Sequence, residues 1–440
     1  MTRSTQPTSA QVANLGDLCR IPSVSTDRDQ VSRAAEWLLD TYGRFADEID
    51  VLEVDGCAVG LVLTFAPESP TGQLTFYNYF DVTAAGDEAG WSSPPFAASV
   101  RDGRLWARGA AGNKGDLVAR LEAVTALRST GRLRRKAVFW LDGQEELGSP
   151  HLEEMLTRWE DQLAADVIVW NTGYVNDAGA PIVCCGFKGF VLASLSAVAT
   201  DFAGHSGIGL GVSGVRMLLD AVQPLLEEDG LAQLESIGRE ALEDQDALLD
   251  HSCESGLLDP LLKHARSGAL GRRHARDDTR TLIRRALFEP TVNIPWISGG
   301  APTEPTRYAE RAECMLDLRL VPPHSADAVE RELSEHFRTQ NVAFATLISM
   351  EPYIAPPKAR AEIFALLEQP LERAFSRQAR LLPIAPFSSP AALVADRLGA
   401  AVCAVGLTDS RSTPHGTNES IALDTFEREI RFVEVLLGGD

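Results

Sequence analysis

Polar side chains that can transfer protons follow the apolar runs of this chain. They are Asp81, Glu145, Glu146, Asn171 and His415. The runs before them read LTFYNYF, AVFWL, DVIVW and AAVCAVGL, and such short blocks are typical of buried strands. Because ligands collect at the carboxyl ends of strands in an α/β sheet, we expect these side chains to share one pocket. Adjacent carboxylates beside a histidine are suited to acid/base chemistry.

Each of these residues also has an ordinary interpretation. An adjacent glutamate pair is usually surface charge, a single histidine is usually a satisfied loop residue, and an aspartate after a strand usually forms a turn. The prediction of a site therefore depends on their occurring together and in order, along with the segment GHSGIG at 204–209.

A small-residue loop, WARGAAGNKGD at 106–116, has the composition of an active-site wall. It contains Arg108, Asn113 and Lys114, and it leads directly into an amphipathic helix. Small residues let a backbone approach a ligand closely. Yet the loop has no carboxylate before Asp116, which we expect to cap the helix.

The elements that position these residues alternate between strands and helices. Helix-like segments at 31–45, 116–130 and 361–378 lie among the apolar runs, which predicts an α/β fold with a central mixed sheet flanked by helices. From about Phe187, short alternating stretches bracket further helical segments and predict a smaller inserted α+β domain. Dense charge at 226–288 predicts a solvated helical excursion.

The composition argues against nucleic acid and anionic membranes as partners, because both would repel a net charge of -21. No apolar run is long enough to span a bilayer, and the N-terminus MTRSTQPTSAQ lacks the apolar core of a signal peptide. The seven cysteines show no metal-type spacing apart from the adjacent Cys184 and Cys185. We therefore expect a cytoplasmic protein with reduced thiols.

An ordered series of motifs gives the chain a resemblance to a known family. The motifs are LCRIPSVST (18–26), YFDV (79–82), WSSPPF (91–96), RDGRLWARGAAGNKG (101–115), QEELGS (144–149), GFKGF (186–190), GHSG (204–207), PTVNI (290–294), DLRLVPP (317–323) and HGTNES (415–420). The chain resembles the M20 family of zinc aminopeptidases, carboxypeptidases and aminoacylases. The resemblance implies a zinc-exopeptidase-like catalytic domain at 1–187 and 355–440, interrupted by an inserted lid and dimerisation domain at 188–354. It also implies a homodimer formed through the lid, and two zinc ions bridged by one aspartate.

Three of the five zinc ligands of the family pattern are replaced in this sequence. Tyr79 stands in place of the first metal histidine, Gly112 in place of the bridging aspartate, and Asn171 in place of a carboxylate. A neutral tyrosine and an amide bind zinc poorly, and only Glu146 and His415 remain. We therefore expect no metal cofactor, with one zinc ion weakly bound by Glu146 and His415 as the alternative.

The resemblance also implies roles for residues that match the family pattern. Glu145 matches the general base, Asp81 matches the aspartate behind the first metal histidine, and His205 matches the lid histidine that polarises the substrate carbonyl. Arg319 and Asn293 match positions that hold the substrate, and an arginine is suited to a carboxylate. Further candidates for substrate binding are Asn171 and Lys114.

Three functions fit this sequence. The first is metal-independent acid/base or acyl-transfer chemistry on a small carboxylate-bearing, amino-acid-derived or amide substrate. Glu145 would be the acid/base, and Glu146, His415 and Tyr79 would line the pocket. Repulsion between the adjacent glutamates would raise the pKa of one of them. The second function is an amide or peptide hydrolase with one zinc ion, and the third is a non-catalytic binding or partner subunit. The expected partner is a small-molecule, amino-acid-derived or peptide-like substrate.

Overall fold

Capping side chains mark where several of the helices begin. The computed structural model describes residues 8–171, 173–199, 205–206, 211–227, 230–237, 242, 244–260, 262, 277–301, 303–304 and 306–439. Its helices are α1 (Ser9–Arg20), α2 (Arg28–Tyr42), α3 (Gly115–Ser129), α4 (Leu152–Leu163), α5 (Gly214–Leu226), α6 (Gln245–Ser255), α7 (Thr279–Phe288), α8 (Ala326–Thr339), α9 (Pro357–Phe375), α10 (Ala391–Leu398) and α11 (Leu423–Gly438). Thr8 before α1 and Ser325 before α8 each accept a hydrogen bond from an amide of the first turn.

The strands form two large sheets and a small three-stranded one. They are β1 (Glu48–Val54), β2 (Cys57–Phe65), β3 (Gln73–Tyr79), β4 (Ser99–Arg101), β5 (Arg104–Trp106), β6 (Lys136–Asp142), β7 (Val167–Trp170), β8 (Tyr174–Val175), β9 (Pro181–Cys184), β10 (Gly186–Val198), β11 (Thr291–Gly299), β12 (Arg311–Leu320), β13 (Val342–Met350), β14 (Tyr353–Ile354), β15 (Arg380–Leu382), β16 (Ala385–Ser388), β17 (Ala401–Ala404) and β18 (Ser420–Ala422). The first sheet has the order β1-β2-β6-β3-β7-β17-β9-β15, with β8 beside β9, and the small sheet is β18-β5-β4.

The first sheet is mixed. β6, β3, β7 and β17 run parallel to one another, whereas β2 is antiparallel to its neighbours β1 and β6. Strands β6 and β7 are buried along almost their whole length, which requires cover on both faces of the sheet. α2 packs on β2, and α3 packs against α11. The predicted central mixed sheet flanked by helices is therefore confirmed.

The second sheet has four antiparallel strands in the order β11-β12-β10-β13, and it has a hydrophobic core of its own. At the start of β10, β14 pairs in antiparallel and β16 in parallel orientation. Alternate residues of β10 and β12, such as Val191 and Leu318, point into this core, where they meet residues of α5 and α8. The opposite face carries Phe190, Asp317 and Arg319 and is only partly covered; we call it the half-buried face. The sheet lies in the predicted insertion, whose boundaries and role as a lid stay predictions.

The expectation of a solvated excursion at 226–288 was wrong for the part that the structure describes. Leu248 and Leu249 of α6, and Ile283 and Leu287 of α7, are buried in the same core as the first sheet. Charge density concealed this, because the apolar residues that enter the core are few and widely spaced among charged ones.

No helix within the described ranges is long and apolar enough to cross a membrane.

Candidate active site

Parallel neighbours in the first sheet bring the predicted residues to one edge. β3 ends at Tyr79, which pairs in register with Asp142 at the end of β6. The turn after β6 contains Glu145 and Glu146, and Asn171 follows the neighbouring strand β7. The carboxyl ends of these parallel strands therefore form the floor of the candidate site.

Asp81 is fully buried and fixes the turn that contains the two glutamates. Its carboxylate accepts hydrogen bonds from the backbone N–H groups of Glu145 and Glu146, each at 3.1 Å, and from Ser25 Oγ at 2.7 Å. Burial and the neighbouring Asp142 raise the pKa of Asp81 to about 7. Because it is enclosed, Asp81 acts by positioning the glutamates.

Glu145 lies among other carboxylates. Burial raises its pKa well above the usual value, and the charges of Glu146, Asp81 and Asp142 raise it further. The neighbouring Asn171 amide opposes this increase without reversing it. The protonated form of Glu145 is therefore favoured, which suits a proton donor.

Glu146 and His415 lie side by side. Nε2 of His415 is 2.9 Å from Oε1 of Glu146, and the side chains are 57% and 6% exposed respectively. The Glu146 carboxylate raises the pKa of His415, because it stabilises the protonated imidazole. Arg108 holds the backbone of the histidine by donating to its carbonyl oxygen at 3.1 Å.

Glu419 anchors the small-residue loop, and the sequence did not single it out as a site residue. Its buried carboxylate accepts hydrogen bonds from the N–H groups of Gly109, Ala111 and Gly112 at 3.0, 2.8 and 2.9 Å. It also pairs with Arg108 Nη1 at 2.7 Å. Its place in the motif HGTNES was the only signal, since 308 residues separate it from Ala111.

Tyr79 stands against the small-residue loop at Gly112. A Cβ atom placed on Gly112 would lie 3.2 Å from the Tyr79 hydroxyl oxygen and 3.8 and 3.9 Å from atoms of Pro414 and His415. Burial, followed by the charge of Glu145, raises the pKa of Tyr79, so its hydroxyl is neutral. Among the described residues this hydroxyl has no hydrogen-bond partner, which leaves it available to a bound molecule.

Lys114 and Asp116 do not have the roles that the sequence suggested. Lys114 Nζ is fully buried and donates to the carbonyl oxygens of Leu18 and Ile21, at 3.0 and 2.8 Å, so it ties the loop to the end of α1 instead of facing the candidate site. Burial lowers its pKa to about 8. Asp116 does not cap α3, because the helix begins before it; its carboxylate accepts from the Leu407 N–H at 3.1 Å.

Arg319 and Asn293 lie on the half-buried face of the second sheet. Arg319 is opposite Phe190, and its guanidinium stacks over that ring at 3.9 Å. It also donates two hydrogen bonds to Asp317, at 2.7 and 3.2 Å, and one to Ser388 Oγ at 3.0 Å. Asn293 is exposed on β11 and pairs in register with Asp317. Because side chains alternate along a strand, Arg319 and Asn293 lie on the same face of the sheet. A shared role in binding requires this.

The half-buried face borders the turn that contains the glutamates. A Cβ atom on Gly148 would lie 3.9 Å from Ile348 Cδ1 of β13. Ile348 pairs with Leu192 of β10, and Leu192 in turn pairs with Asp317. The candidate site therefore lies where the strand ends of the first sheet meet this face.

His205 is exposed, and its backbone pairs with Arg307. Two glycines of its motif, Gly204 and Gly207, lie outside the described residues. The role of His205 at a substrate carbonyl therefore stays a prediction.

With this geometry established, comparison with known proteins places the chain in a family. Residues 76–438 match the model of "Peptidase family M20/M25/M40". The chain belongs to this family. The resemblance noted from its motifs is therefore confirmed, and the matched range contains every residue of the candidate site.

Several curated relatives are named as dipeptidases. The Beta-Ala-His dipeptidase of Rattus norvegicus is 26% identical, over 66% of this chain and 61% of that protein. The probable di- and tripeptidase DUG2 of Saccharomyces cerevisiae is 23% identical, over 60% of this chain and 29% of that protein. The Cys-Gly metallodipeptidase dug1 of Schizosaccharomyces pombe is 25% identical, over 74% and 72%. The match thus spans less than two thirds of the first two proteins.

Solved M20 structures share the whole fold. The M20 family metallo-carboxypeptidase Sso-CP2 from Sulfolobus solfataricus has a TM-score of 0.87 at 21% identity, covering 98% of this chain and 99% of that one. Human carnosine dipeptidase 1 has a TM-score of 0.79 at 21% identity, covering 98% and 95%. At these identities the likeness establishes the fold alone.

The residues present do not fit the pair of zinc ions that M20 membership implies. Gly112 has no side chain, and the Tyr79 hydroxyl lies beside it. Tyr79 and Asn171 offer neutral oxygen atoms, which bind zinc poorly. Across the described part of the chain, no group of three or more His, Cys, Asp and Glu side chains is arranged to hold a metal ion. Glu146 and His415 are the two family ligand positions that do meet.

Proposed function

We propose that this M20 protein acts on a small carboxylate-bearing amide or amino-acid-derived substrate, by acid/base chemistry that needs no zinc pair. The approach of the Tyr79 hydroxyl to Gly112, where an added Cβ would lie 3.2 Å from its oxygen, is the observation that supports this most strongly. In the family pattern the residue at position 112 is the bridging aspartate. Here it is a glycine, and the neutral hydroxyl of Tyr79 faces it. Without a cation between them, Glu145 and Glu146 reduce their repulsion by holding a proton.

Glu145 is the proton donor in this proposal. Its raised pKa lets it hold a proton at pH values where an ordinary glutamate has already lost one. The Tyr79 hydroxyl can donate a hydrogen bond to the carbonyl oxygen of a bound substrate. The pair formed by Glu146 and His415 supplies a second acid/base group at 2.9 Å separation.

The names of relatives support the substrate class. They include a Beta-Ala-His dipeptidase, a Cys-Gly metallodipeptidase and the probable succinyl-diaminopimelate desuccinylase of Staphylococcus epidermidis, which is 28% identical over 48% of this chain and 50% of that protein. Each name denotes an amide of a small molecule that also bears a carboxylate. Arg319 and Asn293 on the half-buried face, with Asn171 beside Glu145, are our candidates for lining the space that such a substrate occupies.

Glu145→Gln tests the assignment of the proton donor. We expect the variant to lose turnover of a panel of dipeptides and N-acyl amino acids, measured by mass spectrometry. It should retain binding and thermal stability. The matched control is Glu154→Gln on α4, where the side chain is 55% exposed. Undiminished turnover by Glu145→Gln would overturn the assignment. Binding without turnover by the unaltered protein would indicate a non-catalytic role.

A hydrolase with one zinc ion is the second candidate, and the close approach of Glu146 and His415 favours it. Elemental mass spectrometry of the purified protein, before and after incubation with zinc and desalting, separates the two. Turnover with almost no bound metal would support acid/base chemistry alone. About one tightly held zinc ion per chain, with turnover lost on chelation, would support the second candidate.

We also propose that the protein is a homodimer formed through the second sheet. In the described structure β11 is an edge strand, and its Trp296 and Ile297 are 50% and 48% exposed. Exposed apolar side chains on a sheet edge favour association. Light scattering should give a dimer for the unaltered protein and a monomer for Trp296→Glu, with Leu347→Glu on the opposite edge strand as the control. A monomeric unaltered protein would contradict the proposal.

A further inference from the structure

Lys188 is a buried cation that the proposed function does not use. It lies near the start of β10, in the motif GFKGF, and is 4% exposed. In the part of the chain that the structure describes, its ammonium group has no hydrogen bond and no ion pair. A buried charge is costly unless it is paired, so an anion that is not part of the protein would be stabilised here.

Lys188 lies on the same face of the second sheet as Arg319. Phe190 pairs with Arg319, and Lys188 precedes Phe190 by two residues, so strand alternation gives both cations one face. Strand β16 also links them, because Ser388 pairs with Lys188 and its Oγ accepts a hydrogen bond from Arg319 at 3.0 Å. Burial and the charge of Arg319 lower the pKa of Lys188 to about 8.

The nearby acidic groups are already engaged with other cations. Asp317 accepts two hydrogen bonds from Arg319. Glu289, whose charge favours the protonated form of Lys188, forms an ion pair with Arg284. Among the described residues of this region, no carboxylate therefore balances the charge of Lys188 by direct contact.

The strand register gives the scale of the space along β10 between Lys188 and the residue pair that borders the turn of the glutamates. Leu192 pairs with Ile348, which borders the turn of Glu145 and Glu146 through Gly148. Four residues separate Lys188 from Leu192 along β10, a distance of about 13 Å at the usual rise of a strand. A dipeptide spans about 7 Å, and a lysine side chain covers much of the remaining distance to Leu192.

We propose that the Lys188 ammonium binds the carboxylate of a substrate that lies between the half-buried face and the turn of Glu145 and Glu146. Arg319 remains paired with Asp317 and adds positive charge to the region, whereas Lys188 makes the direct contact. The substrate class rests on the proposed function, but binding of a carboxylate by Lys188 does not depend on which residue transfers protons.

Selective labelling makes Lys188 directly observable. The chain contains five lysines, which are Lys114, Lys136, Lys188, Lys263 and Lys358. NMR of protein labelled at lysine ¹³Cε therefore gives few signals, and the one lost in Lys188→Met identifies Lys188. The probes are N-acetylglycine, its uncharged analogue N-acetylglycinamide, and inorganic phosphate.

We expect N-acetylglycine to raise the pH midpoint of the Lys188 signal, because a bound carboxylate stabilises the ammonium form. The uncharged analogue should leave the midpoint unchanged, and the signals of Lys136 and Lys358 should not respond. A Lys188 signal that responds to phosphate alone, equally to the uncharged analogue, or to none of the probes would overturn the proposal.

Calorimetry provides the second test. Lys188→Met should weaken binding of N-acetylglycine roughly tenfold or more, as expected for a hydrogen bond to a charged group, and Lys188→Arg should retain most of the affinity. Lys136→Met at the start of β6 is the control and should bind normally. Equal affinities of Lys188→Met and the unaltered protein would overturn the proposal. If Lys188→Met does not fold, Lys188→Arg still assigns the NMR signal. Because binding is measured and not turnover, a failure of Glu145 as proton donor is distinguishable from a failure of Lys188.

Discussion

Gly112→Ala tests whether the Tyr79 hydroxyl occupies the space beside the small-residue loop. The new Cβ would approach the hydroxyl oxygen to 3.2 Å, whereas its next contacts, at 3.8 and 3.9 Å, are ordinary. Gly112 has a φ of -122°, which lies outside the left-handed region that favours glycine. Any loss of stability caused by the substitution should therefore come from the contact with the hydroxyl. Tyr79→Phe removes the hydroxyl and should abolish this loss.

The expected loss of unfolding free energy follows from these contacts. Overpacking of a buried site costs about 1–3 kcal/mol, so Gly112→Ala should destabilise the unaltered protein by roughly that amount. In the Tyr79→Phe background the cost should fall to about zero, or become a gain of about 0.5 kcal/mol because alanine restricts the unfolded chain. The coupling between the two positions is then roughly 1–3 kcal/mol.

Scanning calorimetry of the four proteins measures this coupling. At about 2.1 cal/mol/K of unfolding entropy per residue, a chain of 440 residues has about 0.9 kcal/mol/K, so a coupling of about 2 kcal/mol shifts Tm by about 2 °C. Tyr79→Phe alone should have a small effect, because the hydroxyl has no hydrogen-bond partner among the described residues. Equal losses in Tm from Gly112→Ala in both backgrounds would refute the reasoning.

Three further predictions concern charged groups around the site. Glu419→Gln should lower the free energy of unfolding by about 3–5 kcal/mol, because it leaves Arg108 buried without its anion. Thermal unfolding measures this, and a loss below about 1 kcal/mol would contradict it. Glu146→Gln should lower the pKa of His415 toward its ordinary value, since Glu146 is the main cause of the increase. NMR of the histidine imidazoles measures this pKa, and an unchanged midpoint would show that the pair does not form. Asp81→Asn should flatten the pH dependence of stability between 3.8 and about 7, the pKa values of this carboxyl in the unfolded and folded chain. In that range the folded protein holds a proton that the unfolded chain releases, so Asp81 makes stability fall as pH rises. Urea unfolding at several pH values measures the slope, and an unaltered slope in the variant would disagree with this.

The floor of the candidate site was predictable because strand ends can be located in the sequence. Apolar runs show where strands stop, and the parallel arrangement of β3, β6 and β7 brings the residues after these strands together. Glu145, Glu146 and Asn171 were found in this way. The same reasoning placed His415 in this pocket, but its direct pairing with Glu146 was anticipated only through the family pattern.

Contacts made by the small-residue loop were not predictable in the same way. Spacing shows that Lys114 lies in a loop but not which side of the loop it faces, and its partners are backbone carbonyl oxygens that any sequence supplies. Glu419 was missed for a similar reason, because it accepts hydrogen bonds from backbone N–H groups of a loop far away in the chain. The buried leucines of α6 and α7 were missed because charge dominates the average composition of their segment.

Charge balance connects Tyr79, Glu145 and Lys188 into one arrangement. A divalent cation keeps surrounding carboxylates ionised, whereas buried carboxylates without one retain protons. Burial raises the pKa values of Asp81 and Glu145, and Tyr79 adds a neutral hydroxyl to the same region. The unbalanced positive charge lies on the half-buried face instead, at Lys188. A substrate that bears both an amide and a carboxylate would therefore bind in one orientation, with its carboxylate toward the second sheet and its carbonyl oxygen toward the proton on Glu145.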